Sequence, residues 1–127
     1  MKDYSHLIGL PFKYGGRGPD VFDCYGLVRK IHFDNYGIWP VDHITPTDGC
    51  GSKISSMMVG DLTLWEETEL TEGAVILFRV PGTLHVGTVI DDEGLSFIHT
   101  WEKTGGVTIE PISVWENRII GVYKYVG

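Results

Sequence analysis

Residues 22–33 read FDCYGLVRKIHF. Leu27, Val28 and Ile31 recur at helical spacing, so the stretch predicts an amphipathic helix running from about Cys24 to Tyr36. Asp23 stands where a side-chain oxygen caps a first turn, and Gly37 stands where a helix leaves through the left-handed region. Cys24 therefore opens the helix, and three fates are open to it: buried structural thiol, metal ligand or nucleophile. Unpaired N–H groups and the positive end of the dipole favour a thiolate at a helix start, lowering a thiol pKa from about 8.5. The same N–H groups stabilise an oxyanion formed by attack from that sulfur. A small buried apolar residue remains the commoner fate of a free cysteine.

Outward from this helix, residues 1–8 predict a short helix and GLPFKYGGRGPD (9–20) a loop, because Pro and Gly break any period. Residues 38–51 read as loop. Ser52 is a cap for a second short helix carrying Ile54, Met57 and Met58, and 66–73 is an acidic stretch ending in a turn. AVILFRV (74–80), HVGTVI (85–90), LSFIHTW (95–101), GVTIE (106–110) and IIGVYKY (119–125) then read as strands with turn chemistry between them. Helix first and sheet second gives an α+β class with about five antiparallel strands. At 127 residues, with 43% hydrophobic side chains, residues 1–127 are expected to form one domain with one core.

Ten basic against seventeen acidic residues give a net charge of −7, which argues against a nucleic-acid grip. No apolar run reaches the length of a membrane span, and no signal-peptide pattern opens the chain, so synthesis in the cytoplasm is expected. A disulfide between Cys24 and Cys50, the two cysteines, is not expected in that compartment. C-x-x-C, H-E-x-x-H, P-loop and G-x-G-x-x-G patterns are all missing.

A thiolate nucleophile wants a histidine nearby. Of the five histidines, His85 and His99 flank one short turn in predicted strands. With Asp91–Glu93 as the turn, His85 stands opposite His99 on one face, so one imidazole can orient the other. A one-residue slip would put them on opposite faces. Gly87 shares that face and leaves room for another element to approach. Zinc is the rival reading for Cys24, His85 and His99, although their spacing matches no zinc signature.

Taken together, PFKYGGRGPDVFDCYGLV (11–28), TEGAVILFRV (71–80), HVGTVI (85–90) and FIHT (97–100) resemble the NlpC/P60 family of cysteine peptidases, in order and spacing over nearly the whole chain. The resemblance implies a papain-like α+β fold in which Cys24 is the nucleophile, His85 the general base and then acid, and His99 the orienting residue. It implies a substrate in the peptidoglycan stem peptide and no cofactor or metal. It gives Asp23 a hold on a substrate amine, beside its reading as a plain N-cap. Tyr14 and Tyr25 are placed as cleft-lining aromatics, beside a reading as core. Two residues depart from the family pattern: Tyr25 stands where Ser is usual, and Phe12 where a tyrosine often begins the Gly-Gly loop. An aromatic after the cysteine resembles the small phage tail-associated members. The expected setting is therefore a virion tail tip acting at the host wall or periplasm, with other tail-tip proteins as partners. A structural tail-tip subunit with a latent thiol site is the first rival. Another thiol acyl enzyme, an amidase or an acyltransferase on a lipid, with an apolar groove lined by Trp39, Trp65, Trp101 and Trp115, is the second.

Overall fold

The computed structural model describes residues 3–41, 64–81 and 83–127. Helix α1 spans Cys24–Tyr36, within the bounds its sequence predicts. The Asp23 carboxylate accepts the Gly26 N–H at 2.6 Å, which satisfies one orphan donor of the first turn. At the other end Gly37 takes φ 71°, and its N–H bonds the Phe33 carbonyl at 2.8 Å.

Among the described residues six strands follow: β1 (Trp65–Glu67), β2 (Val75–Val80), β3 (Thr83–Val89), β4 (Ser96–Thr100), β5 (Val107–Pro111) and β6 (Ile119–Tyr125). They form one antiparallel sheet in the order β1-β6-β2-β3-β4-β5. A short helix α2 (Ile112–Trp115) joins β5 to β6 through a 3₁₀ turn. Strand β1 is the addition to the five expected. It is three residues long with one buried side chain, too short for an alternating pattern to register. Residues 4–10 form turns on the Tyr4 and Leu7 carbonyls rather than the expected helix. The helix expected from Ser52 lies outside the described residues.

The sheet is covered on both faces. Cys24, Tyr25 and Val28 of α1 pack on Val75, Leu77 and Val86, with Trp65 and Tyr123 closing the cluster. Leu27 and Ile31 pack beside them on Ile98 and Val107, with Tyr4, Leu7 and Phe22. The opposite face carries Ile76, Phe78, Val80, Val89 and Phe97 against Ile112 and Trp115 of α2. This is why Val75–Phe78 of β2 read as a continuous apolar run: both faces are buried there, and only Arg79 is exposed. Among the described residues, no helix is long and apolar enough to cross a membrane.

Candidate active site

The start of α1 is stapled to the glycine-rich loop before it. Asp23 is fully buried. Besides the Gly26 N–H, its carboxylate accepts the Gly15 N–H at 3.1 Å and the Arg17 guanidinium at 2.7 Å. The Asp23 N–H returns a bond to the Gly16 carbonyl at 3.1 Å. The N-cap reading of Asp23 describes these contacts, and its carboxylate has no exposed surface to offer a substrate amine. Tyr25 is also fully buried, in the core rather than lining a cleft, with its hydroxyl donating to the Val41 carbonyl. Tyr14 is only half-buried. Its hydroxyl donates to Glu102 and its ring meets Phe12 edge-on.

Cys24 is 3% exposed and its sulfur is disulfide-bonded. This corrects the expectation of a reduced thiol, which rested on compartment alone and not on geometry. The chain's other cysteine, Cys50, lies outside the described residues.

His85 and His99 do meet: His85 Nε2 lies 2.7 Å from His99 Nδ1. The register that brings them together is not the expected one. Thr88 pairs with Ile98 and Val89 with Phe97, so Gly87, not His85, is the residue opposite His99. The cause is the turn. The Asp91 carboxylate accepts the N–H groups of both Leu95 and Ser96, and Gly94 takes φ 71°, so the turn is two residues longer than Asp91–Glu93. A shift of two residues keeps both histidines on one face and makes them diagonal neighbours. Gly87 leaves the room they use: a Cβ there would stand 2.7 Å from the Phe97 ring and 3.2 Å from His99 Cβ.

The pair is enclosed. His85 is 2% exposed, with Phe78, Trp101 and Trp115 around its ring, and His99 packs on Phe97 and Trp115. Trp65 packs in the α1 cluster instead, and the exposed Trp39 stacks on Phe33, so the four tryptophans line no common groove. On the far side of His99, Nε2 meets the Glu110 carboxylate at 2.5 Å.

Cys24 and the pair stand at the same end of the sheet. The loop leading into α1 bridges to Gly106 and bonds Gly105, just beyond the end of β4 and beside the start of β3. They face different ways, however. Val86 packs with Cys24, and His85, its neighbour along β3, turns into the aromatic cluster on the other face. Among the described residues, no three His, Cys, Asp or Glu side chains gather as a metal site.

The sequence profile of the NlpC/P60 family matches residues 9–124. The chain belongs to the NlpC/P60 family. Its fold is similar to the crystal structure of the NlpC/p60 domain of the peptidoglycan hydrolase SagA. The TM-score is 0.61 at 17% identity, covering 97% of this chain and 92% of that one. It is also similar to NlpC2 from Trichomonas vaginalis, with a TM-score of 0.66 at 20% identity over 95% of this chain and 43% of that one. In sequence it is 36% identical to Protein P54 of Enterococcus faecium over 64 residues, which is 46% of this chain and 12% of that protein. The chain thus spans about an eighth of that relative's length.

In this NlpC/P60 chain, sequence reasoning missed Glu110 and Arg17. Glu110 sits in a strand remote from both histidines in sequence, and only the β4–β5 pairing brings it to His99. Arg17 carried a weak signal, a cation between glycines six residues before an expected N-cap.

Burial also makes the histidines acid-sensitive. Desolvation holds His85 well below the ordinary histidine value, with repulsion from His99 adding to it. Burial lowers His99 as well, against the opposing pull of Glu110, and lowers His32 against its bond to the Val28 carbonyl. Unfolded histidines titrate near about 6.5. Below that pH the unfolded chain binds more protons than the folded one, so stability is fully present above about 6.5 and falls as pH drops toward the folded values. Urea midpoints should therefore decrease between pH 7.5 and pH 5. A flat profile would mean that these imidazoles titrate normally.

Proposed function

We propose that this NlpC/P60 chain is a cysteine endopeptidase that cleaves an amide bond in the peptidoglycan stem peptide. The observation that carries the reading is the buried Nε2–Nδ1 bond between His85 and His99, at the end of the sheet where Cys24 opens α1. Family membership supports it, as does the likeness to a domain of a protein described as a peptidoglycan hydrolase.

In this reading, a thiol reductant first supplies two electrons and two protons to the Cys24 disulfide. The freed sulfur then has to leave the Val86 side of β3 to reach His85, to which it gives up its proton. The thiolate attacks the amide carbonyl, and the N–H groups at the start of α1 hold the oxyanion. The C–N bond then breaks and His85 protonates the leaving amine. Water, deprotonated by His85, hydrolyses the thioester and restores the thiol. Among the substrate-side residues, only the half-buried Tyr14 keeps surface to offer the stem peptide, whereas the buried Asp23 and Tyr25 act through the scaffold.

The test is incubation with defined muropeptides, with and without reductant, followed by mass spectrometry of new amine and carboxylate ends. Cleavage is expected only under reducing conditions. Reduced protein that leaves every stem peptide intact would sink the peptidase reading.

The setting we propose is a bacteriophage tail tip, in contact with other tail-tip proteins and acting at the wall or periplasm. The support is Tyr25 in place of the usual Ser. Gold labelling of intact virions would put the chain at the tail tip or rule it out. A second reading, a structural tail-tip subunit with a latent site, is favoured by one observation: Cys24 is disulfide-bonded and both histidines are closed off from solvent. Reduced protein inert on all stem peptides yet present in virions is the outcome that reading expects.

A further inference from the structure

The peptidase reading leaves Glu110 unused. It lies on β5, where Phe97 pairs with Glu110 and His99 with Thr108, so Glu110 is a diagonal neighbour of His99 on the face that carries both histidines. Its side chain is 29% exposed, whereas His99 is fully buried, so the carboxylate reaches from the rim of the sheet onto a buried ring.

The order of bonds fixes where the protons sit. An ionised carboxylate only accepts, so the hydrogen in the His99–Glu110 bond belongs to His99 Nε2. Burial keeps His99 neutral at pH 7, so its Nδ1 then bears a lone pair. The 2.7 Å bond at that Nδ1 needs a donor, and among the described residues that donor is His85 Nε2. His85 therefore carries its proton on Nε2, and its Nδ1 is left as the basic nitrogen. The proton arrangement of both rings is thus set from Glu110.

We propose that Glu110 is a positioning residue that, through His99, selects which nitrogen of His85 holds the proton and which is free to act as base. The inference rests on the peptidase reading for its purpose, although the proton arrangement itself stands without it. Removing Glu110 frees the His99 ring to exchange tautomers, and His85 follows.

The test is long-range proton–nitrogen correlation NMR on the full chain, with ¹⁵N-labelled histidine at pH 7.5. In wild type, both His85 and His99 should carry hydrogen on Nε2. Glu110→Ala should give mixed tautomers at both rings. Glu110→Gln, whose amide oxygen still accepts, should keep the wild-type pattern. On a cleavable muropeptide, Glu110→Ala should lower kcat about tenfold to a hundredfold, as loss of an outer partner of a working histidine does, with KM little changed and rate restored in Glu110→Gln.

A wild-type His85 protonated on Nδ1 would overturn the proposal, and so would tautomers unmoved by Glu110→Ala. Were the alanine variant to misfold, the wild-type and glutamine spectra would still decide. If wild type cleaves nothing but shows the stated tautomers, the peptidase reading alone falls. If wild type cleaves and the tautomers differ, Glu110 alone loses its role.

Discussion

Cys24→Ala should abolish stem-peptide cleavage under reducing conditions, a loss of at least ~10³-fold, because the variant lacks the sulfur that forms the thioester at the start of α1. The variant changes two things at once, since Cys24 is also disulfide-bonded. Losing a disulfide typically costs about 2–5 kcal/mol of stability under oxidising conditions, so inactivity there would be ambiguous. Reductant removes the ambiguity by placing wild type and variant on the same footing. The rate of new amine formation decides. A Cys24→Ala protein that still cleaves would remove Cys24 from the chemistry whatever the family does.

Gly26→Ala should have the largest effect on stability. By helix propensity alone, alanine would gain about 1 kcal/mol over glycine inside α1. The packing reverses the sign. A Cβ at Gly26 would stand 2.1 Å from the Gly16 carbonyl oxygen and 3.1 Å from Asp23 Oδ1. The first contact is with backbone that is itself held by the Asp23 N–H, so relief means separating the glycine loop from the helix start. Overpacking of this kind costs roughly 1–3 kcal/mol and occasionally more, and the lost cap bonds add to it. The urea midpoint should fall, with the melting temperature lower by on the order of 10 °C. Cleavage should fall with it, because the same bonds set the position of Cys24. An unchanged midpoint would mean that the loop yields freely and is not a staple.

The two substitutions separate what local sequence encodes from what it does not. Helix α1 was legible to its last residue because Asp23 and Gly37 are strong end signals around an apolar stripe. Five of the six strands were legible because Gly and Asp clusters punctuate β-rich runs. The hairpin register was not, because the Asp91 side chain lengthens the turn by capturing two N–H groups, a choice the residue types permit but do not dictate. The histidine pair survived that error only because the shift was even.

The sequence by itself determined the α+β order, the cysteine at a helix start and two histidines able to share a face, since each depends on contacts within a short span of chain. Tertiary structure alone decided that Glu110 meets His99, that Asp23 is spent on Gly15, Arg17 and Gly26, and that Cys24 packs beside Val86 rather than His85. The physical reason is common to all three. A buried polar group takes whatever partner the packed elements deliver, and which face of a doubly covered strand meets the helix is fixed by the whole sheet, not by the residues of that strand.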